Sequence, residues 1–331
     1  MKKEILKASE YETLQVEEPQ TSLNLKMYAK ETSELLIKDL KVLSLFSGCG
    51  GMDLGFEGGF KVFKTSINEY LNPEFIDKCL NENEILLKST RFETVFANDI
   101  LKDARNAWVQ YFSKKGYMPN VFHEESIVDL VKAHKAGEQI FPNDVDVVTG
   151  GFPCQDFSLA GKRKGFNSHK DHNGIIRKDD EASTETRGQL YMWMKEVIEI
   201  TKPKIFIAEN VKGLVNLSNV KELIQKDFAA ADKDGYFVFE PQVLHAADYG
   251  VPQSRERVIF IGVKKSALKV GVLNRLLNGE LSQLNPYPAP SHQNDVNEEH
   301  RKPYVSLKDI LDRLEEPEHT EDFSQKYFSK A

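Results

Sequence analysis

The sequence predicts an α/β fold in which a doubly wound, mostly parallel sheet carries an antiparallel hairpin at one edge. Three observations lead to this prediction: short apolar runs recur along the chain, helical segments separate them, and only a short connection joins the last two runs. Runs rich in Val, Ile and Phe that end at Gly, Asn or Asp are typical of buried strands, and their alternation with helices favours parallel pairing. The predicted strands are 42–46, 94–97, 145–148, 205–208, 238–244 and 258–263, and the predicted helices between them include 104–112, 189–201 and 220–230.

Composition narrows the class of protein. The 331 residues are 40% hydrophobic and 29% charged, which is typical of a globular protein and excludes a collagen-like or disordered chain. No run of about 18 apolar residues and no secretory signal is present, so we expect a cytoplasmic protein without a membrane span. The three cysteines, Cys49, Cys79 and Cys154, are widely spaced and predict neither a disulfide framework nor a metal site. The formal charge of -7 lies mostly near the two ends, so it does not exclude DNA as a partner.

The distribution of polar and apolar residues along the sequence predicts three regions. Residues 1–40 form a polar N-terminal leader, residues 41–265 form the sheet domain, and residues 266–331 form a polar tail. Strand and helix alternation stops after residue 263, where a proline-rich segment follows, and one further helix is predicted at 306–314. The tail contains too few apolar residues to predict a second hydrophobic core.

The first motif, LSLFSGCGGMDLG at 43–55, predicts a strand, a glycine turn and a helix. Such a turn lets the backbone approach a nucleotide at the end of the first strand, although a simple tight turn would have the same pattern. It fits an adenosyl ligand about as well as a dinucleotide, but it lacks the full G-x-G-x-x-G spacing expected of a nicotinamide dehydrogenase. Two carboxylates compete to bind the ribose, Glu69 and Asp99, and either of them could instead cap a helix.

The second motif, DVVTGGFPCQDFS at 146–158, presents Cys154 in a Phe-Pro turn after a buried strand. Structural cysteines are usually buried within an element, so we interpret Cys154 as a nucleophile. The loop that follows, 160–170, is bracketed by glycines and contains Lys162, Arg163 and Lys164. A charge run is usually a solvated surface, but a cationic loop beside a nucleophile could also close over a phosphate backbone.

Two further motifs deliver polar residues to the same predicted sheet edge. KIFIAENVKG at 204–213 ends an apolar strand at Glu209, where partial desolvation suits the carboxyl group to donate a proton, and at Asn210, which could instead cap a helix. YGVPQSRER at 249–257 contains Arg255 and Arg257 just before a strand. We expect these two arginines to point to opposite faces, so that one enters the site while the other pairs elsewhere.

Taken together, the four motifs make residues 42–263 similar to the DNA (cytosine-5)-methyltransferases, particularly bacterial enzymes of restriction-modification systems. The resemblance implies S-adenosylmethionine as the cofactor, with Phe46 against the adenine, and it favours Asp99 over Glu69 as the ribose ligand because an amphipathic helix follows Asp99. Ser126 and Ile127 resemble third-strand residues that border the adenine. The full set of cofactor residues implied by the resemblance is Phe46, Gly48, Cys49, Gly50, Gly51, Asp99, Ile100, Ser126, Ile127, Gly151 and Leu190.

The resemblance also implies a mechanism on double-stranded DNA. Cys154 adds to carbon 6 of cytosine, Glu209 stabilises a proton on ring N3, and Arg255 holds the base with Asn210 and Gln253 as supports. These atoms are inaccessible in a stacked duplex, so base flipping is implied. Lys162, Arg163 and Lys164 are then the expected phosphate contacts.

The sequence departs from the family pattern at its C-terminal end. The family continues into a target-recognition region and two further motifs, and the tail resembles only the entry to that region. We therefore expect the remaining motifs to come from a second polypeptide or a missing C-terminal part. Two alternatives stay open: an inactive protein that binds cofactor or DNA, and an RNA cytosine-5 methyltransferase. Insertions near 61–93 and 168–186 lengthen the usual loops.

Overall fold

The computed structural model describes residues 39–153, 190–216, 219–280, 283–294 and 300–313. By its internal contacts the chain divides into Met1–Asp39 and Leu40–Ala331, and the second unit contains the elements below. The predicted leader lies outside the described residues except for its last two positions.

The large sheet confirms the predicted α/β class. In chain order the strands are β1 (Leu40–Leu45), β2 (Lys61–Phe63), β3 (Ile76–Cys79), β4 (Glu84–Leu87), β5 (Phe92–Asn98), β6 (Phe122–His123), β7 (Val147–Gly150), β8 (Ile205–Val211), β9 (Tyr236–Val238), β10 (Gln242–His245), β11 (Glu256–Lys264), β12 (His292–Gln293) and β13 (Lys302–Pro303). The helices are α1 (Gly51–Glu57), α2 (Lys102–Phe112), α3 (Ile127–Lys135), α4 (Leu190–Thr201), α5 (Val220–Ala229), α6 (Val270–Leu277) and α7 (Leu307–Leu311). The sheet order is β10-β11-β8-β7-β1-β5-β6, and β9 also pairs with β11.

Strand direction brings the predicted motifs to one edge of this sheet. Strands β6, β5, β1, β7 and β8 are parallel neighbours, so their carboxyl ends lie at the same edge. Strand β11 runs antiparallel to β8, with Arg257 opposite Val211. The beginning of β11 therefore lies at the edge where the parallel strands end.

Hydrophobic cores cover both faces of the sheet. Neighbouring residues of one strand point to opposite faces, and Phe96 belongs to the largest core while Ala97 packs with Trp108 and Phe112 of α2. Phe260 and Ile261 of β11 are divided in the same way between the largest core and a third one. Among the described residues, no helix has the length and apolar character needed to cross a bilayer.

Three segments differ from the sequence prediction. The predicted strand 238–244 is two strands, β9 and β10, which both pair with β11. The insertion near 61–93 contains a three-stranded antiparallel sheet of β2, β4 and β3 that the prediction missed. Helix α6 was also missed, and α7 is shorter than the predicted 306–314.

Parts of the predicted tail pack onto the sheet domain. The hydroxyl of Tyr287 donates to the carbonyl of Ile259 in β11 at 3.0 Å, and Lys302 Nζ donates to the carbonyl of Ile67 at 2.7 Å. The domain boundary near residue 265 stays a prediction, and the polar segment after it forms specific contacts with the preceding sheet.

A buried carboxyl group lies in α1, directly after the glycine turn. Asp53 is 1% exposed, and the indole Nε1 of Trp108 donates to its Oδ2 at 2.7 Å. Burial raises the pKa of Asp53 from 3.8 to about 6; hydrogen bonds with Ser44 and Trp108 oppose the rise, and the nearby charge of Glu57 adds to it.

The raised pKa of Asp53 makes stability depend on pH. Its contribution to stability is complete below the ordinary pKa and is lost as pH rises through the folded-state value, because the unfolded chain ionises more easily. We expect Asp53→Asn to be more stable relative to the parent protein at pH 8 than at pH 5, by on the order of 1 kcal/mol in the free energy of unfolding. Urea denaturation at the two pH values measures this difference, and an identical difference at both would contradict the prediction.

Candidate active site

A cavity of about 220 Å³ lies at the carboxyl ends of β1, β5 and β7. The structure brings together seven of the predicted cofactor residues in its wall: Phe46, Asp99, Ile100, Ser126, Ile127, Gly151 and Leu190. Three further residues line it that the sequence reasoning did not select, Asn98, Leu101 and Pro153. Each of these three is next in sequence to a strand end or to a predicted site residue, and that adjacency could have identified it.

The other four predicted cofactor residues, Gly48, Cys49, Gly50 and Gly51, form the turn beside the cavity and are not part of its wall. The Gly48 N–H donates to Asp99 Oδ2 at 3.0 Å, so the turn holds the carboxylate that lines the cavity. Phe46, at the other end of the turn, has a φ of 53°, which is unusual for a bulky residue and indicates local strain.

Gly50 serves packing as well as backbone conformation. It has a φ of 88°, and a Cβ at this position would lie 2.6 Å from both Phe112 Cε2 and Trp108 Cδ1. The close approach of the turn to α2 therefore requires glycine here.

We expect Gly50→Ala to lower the free energy of unfolding by roughly 3 kcal/mol, because both the positive φ and the aromatic contacts oppose a side chain. The matched control is Gly55→Ala within α1, where a Cβ would meet nothing within 4 Å. That variant should be stabilised by up to about 1 kcal/mol, since alanine favours a helix over glycine. Chemical denaturation measures both, and equal effects would contradict the packing role.

The structure separates the two competing ribose carboxylates. Asp99 follows β5, lines the cavity and accepts hydrogen bonds at about 3.0 Å from the N–H groups of Gly48 and Leu101. Glu69 lies in the loop between β2 and β3, where it pairs with Lys64 at 3.4 Å and Lys302 at 3.9 Å. Helix α2 has Leu101 at its N-cap without a side-chain cap, so Asp99 does not serve as the N-cap residue.

The lining of the cavity fits an adenosyl group. Apolar side chains of Phe46, Ile100 and Ile127 offer surfaces to a planar ring, while the Asp99 carboxylate can accept hydrogen bonds from ribose hydroxyls. Ser126 and Ile127 lie at the start of α3, not in a strand: the Ser126 hydroxyl caps the helix by accepting from the Val128 N–H at 3.3 Å.

Glu209 lies between two arginines beside this cavity. Its Oε1 is 2.6 Å from Arg257 Nε and 3.9 Å from Arg255 Nη2, and its side chain is 22% exposed. The expectation that these arginines point to opposite faces is wrong: residues two apart in an extended chain point to the same side, since the side-chain period is two. Arg257, which the sequence reasoning assigned away from the site, makes the closer contact, and correct use of that period would have found it.

Backbone contacts tie the Glu209 strand to the motif that contains Cys154. A Cβ on Gly151 would lie 3.1 Å from Glu209 Oε2, so the carboxylate lies against the backbone of a residue that also lines the cavity. Asn210 is 1% exposed, and its Nδ2 donates to the carbonyl of Phe152 at 3.2 Å. Asn210 therefore joins two strand ends, and it lies within β8, where it caps no helix.

The remaining predicted residues are placed as follows. Gln253 is exposed in the turn before β11, and its N–H donates to the carbonyl of Val251 at 2.7 Å. Cys154 and the predicted DNA contacts Lys162, Arg163 and Lys164 lie outside the described residues. Cys154 directly follows Pro153, which lines the cavity.

Comparison with known proteins identifies relatives along most of the chain. "Type II methyltransferase M.BsuRI" of Bacillus subtilis is 35% identical over 83% of this chain and 51% of its own length. "Type II methyltransferase M.NgoFVII" of Neisseria gonorrhoeae is 32% identical over 83% of this chain and 53% of its own length. "Type II methyltransferase M.AquIA" of Picosynechococcus sp. is 30% identical over 83% of this chain and 88% of its own length. The chain thus spans about half the length of the first two relatives and most of the third.

The sequence profile of the "C-5 cytosine-specific DNA methylase" family matches residues 40–330. This match includes every strand and helix described above, together with the cavity and the Glu209 site. The chain therefore belongs to the C-5 cytosine-specific DNA methylase family.

Proposed function

We propose that this chain transfers a methyl group from S-adenosylmethionine to carbon 5 of cytosine in DNA. The observation that carries the proposal is the position of Glu209: its carboxylate is paired with Arg257 and lies against Gly151, a residue that also lines the cavity containing Asp99. An acidic group for the base and a pocket for the methyl donor thus share one wall.

The chemistry of cytosine explains why a nucleophile is needed. Carbon 5 is too weakly nucleophilic to take a methyl group unaided, so the ring must first be activated. In the proposed reaction the Cys154 thiolate forms a bond to carbon 6, the π bond between carbons 5 and 6 breaks, and its electrons form a double bond between carbons 5 and 4 as ring N3 takes up a proton. Carbon 5 is then the nucleophilic end of an enamine. After methylation, the carbon-5 proton is lost to a base and the bond from Cys154 to carbon 6 breaks, releasing 5-methylcytosine and the thiolate.

Glu209 and the arginines orient and stabilise the activated base. A carboxyl group at N3 can hold the ring proton while electron density moves toward carbon 5. Arg257, with its Nε 2.6 Å from Glu209, holds that carboxyl group in place. The Arg255 guanidinium is half-exposed and is proposed to donate hydrogen bonds to the carbonyl oxygen of the base. Asn210 holds the Phe152 carbonyl two residues before the proposed nucleophile.

The cofactor is proposed to bind in the cavity, with Asp99 on the ribose and Phe46, Ile100 and Ile127 around the adenine. When bound, S-adenosylmethionine supplies an electrophilic methyl group. A cytosine in duplex DNA reaches the site only after flipping out of the stack, which costs a few kcal/mol. Contacts between phosphates and Lys162, Arg163 and Lys164 are proposed to offset part of this cost.

Radiolabelled S-adenosylmethionine tests the reaction directly. The purified chain is incubated with labelled cofactor and duplex DNA, with transfer RNA in a parallel reaction, and nucleosides are separated to locate the label. Label in 5-methyldeoxycytidine supports the proposal. Label in RNA alone would favour the RNA methyltransferase, and cofactor binding without transfer under any condition would favour an inactive binding protein.

A second polypeptide, or a C-terminal part that this sequence does not include, is proposed to supply target recognition, in a system in which methylation protects host DNA from a restriction enzyme. The support is the coverage of the relatives: this chain matches only about half of the M.BsuRI and M.NgoFVII sequences. The assay above, repeated with and without the product of the adjoining reading frame, tests this dependence. Full sequence-specific transfer by the chain alone would refute it.

A further inference from the structure

A series of polar contacts, called the relay below, connects Tyr304 after β13 to the loop that contains Arg255 through Asp248, His245 and Ser254. The hydroxyl of Tyr304 donates to Asp248 Oδ1 at 2.5 Å. The same carboxylate oxygen is 3.3 Å from His245 Nδ1, and His245 Nε2 is 3.3 Å from the hydroxyl of Ser254. Ser254 directly precedes Arg255, so this series of contacts ends beside one of the two arginines that face Glu209.

Packing supports this connection at its centre. The rings of His245 and Tyr304 meet edge to face with their centroids 5.9 Å apart. The hydrogen bond from the hydroxyl to the Asp248 carboxylate is also the main cause that raises the pKa of Tyr304 above its ordinary value. The N–H of Ser291 also donates to the Asp248 carbonyl at 2.8 Å, which gives Asp248 a second link to residues that follow β11.

The loop of residues 246–255 needs such support because burial does not fix its end. Gln253, Ser254 and Arg255 are all exposed. The Ala246 N–H donates to the Arg255 carbonyl at 2.8 Å where the two ends of the loop meet, and the Val251 N–H donates to the Ala246 carbonyl at 3.3 Å within it. The contact from Ser254 to His245 is a side-chain restraint on the same end of the loop. Arg255 itself is 50% exposed and 3.9 Å from Glu209, so small changes in the loop would alter its distance from the carboxylate.

We propose that Tyr304 is a positioning residue for the methyl transfer: through Asp248, His245 and Ser254 it holds the 246–255 loop so that Arg255 faces Glu209. The inference rests on the proposed function and deepens it, because it makes a residue outside the catalytic sheet part of the assembly of the base site. Tyr304 lies just before α7, so an interaction that fixes the segment 300–313 would also fix the 246–255 loop.

The test compares two tyrosine variants. Tyr304→Phe removes only the hydroxyl that donates to Asp248. Tyr236→Phe is the matched control, because its hydroxyl donates to the Pro203 carbonyl at 2.8 Å and both residues lie outside the 246–255 loop. We expect Tyr304→Phe to lower kcat roughly tenfold, since misplacing a positioned group by a fraction of an ångström has effects of this size. The KM for S-adenosylmethionine should not change, and Tyr236→Phe should keep the parental kcat.

A double-variant cycle separates positioning from general destabilisation. If the side chains act as one relay, adding Ser254→Ala to Tyr304→Phe should lower kcat little further, because either change already releases Arg255. Independent, multiplying effects of the two changes would overturn the proposal. Unchanged kcat in Tyr304→Phe, or equal losses in the two tyrosine variants, would overturn it as well.

Hydrogen exchange gives a readout that does not need activity. Mass spectrometry of peptides spanning 246–255 should show faster exchange in Tyr304→Phe than in the parent chain or in Tyr236→Phe, because the amides of Ala246 and Val251 depend on the closed loop. Unchanged exchange would refute the relay. A parent chain without methyl transfer would refute the proposed function and leave this exchange comparison to decide the inference alone.

Discussion

Replacing Cys154 by alanine is expected to lower cytosine methylation by roughly 10⁴-fold or more, because the ring cannot be activated without a nucleophile at carbon 6. Binding of S-adenosylhomocysteine should stay close to that of the parent chain, since ten described residues other than Cys154 line the cavity. Methyl transfer from labelled cofactor measures the first effect and isothermal titration calorimetry the second.

Duplex DNA that contains 5-fluorocytosine sharpens this test. Fluorine cannot leave carbon 5 as a proton does, so the parent chain should stay covalently bound to the modified DNA after methyl transfer. The matched control is Cys79→Ala, which removes an exposed cysteine of β3 in the small antiparallel sheet. We expect Cys79→Ala to form the adduct and Cys154→Ala to form none; an adduct in both would assign the nucleophile to another residue.

Replacing Glu209 by glutamine is expected to lower kcat by about 10²- to 10³-fold, with less change in the affinity for DNA. Glutamine keeps the size of the side chain and an oxygen that can accept from Arg257, but it cannot exchange a proton with ring N3. Single-turnover methylation under saturating cofactor measures the chemical step, and a fluorescence-based DNA titration measures binding.

Glu256→Gln provides the control for that experiment. Glu256 also lies beside the arginines in sequence, but its side chain is 42% exposed and pairs with Lys212 at 2.7 Å. Exposed ion pairs contribute little to stability, so this variant should fold like the parent chain. Because its carboxylate pairs with Lys212 and not with Arg255 or Arg257, we expect the parental rate as well. If both glutamine variants lost activity equally, a general electrostatic effect would explain the loss better than proton transfer at position 209.

Sequence reasoning succeeded where a strong apolar run fixed the element. The strands near 94–97, 205–208 and 258–263 and the helices near 189–201 and 220–230 are present within a few residues of their predicted bounds. A strand that is covered on both faces has apolar residues along its whole length, so its sequence pattern is strong. The order of these strands also placed the cavity residues, since parallel strands all end at one edge.

The same reasoning missed elements that lack such a run. Strand β3 is mostly exposed along its length, and β2 and β4 are only three and four residues long, so their apolar pattern is too short to register. Helix α6 follows the predicted end of the domain and contains Gly271. The sequence alone could have predicted that Arg257 points to the same side as Arg255, because residues two apart in a strand share a face.

The contact between Glu209 and the backbone of Gly151 has a practical consequence for ligand design. Gly151 lines the cavity that contains Asp99, and a Cβ on Gly151 would lie 3.1 Å from Glu209 Oε2, so this glycine adjoins both sites. Under the proposed function, a compound that joins an adenosine moiety to a pyrimidine would need only a short tether to occupy both. A Cβ at position 151 would lie 3.1 Å from Glu209 Oε2 and occupy this junction, so Gly151→Ala should weaken the binding of such a compound.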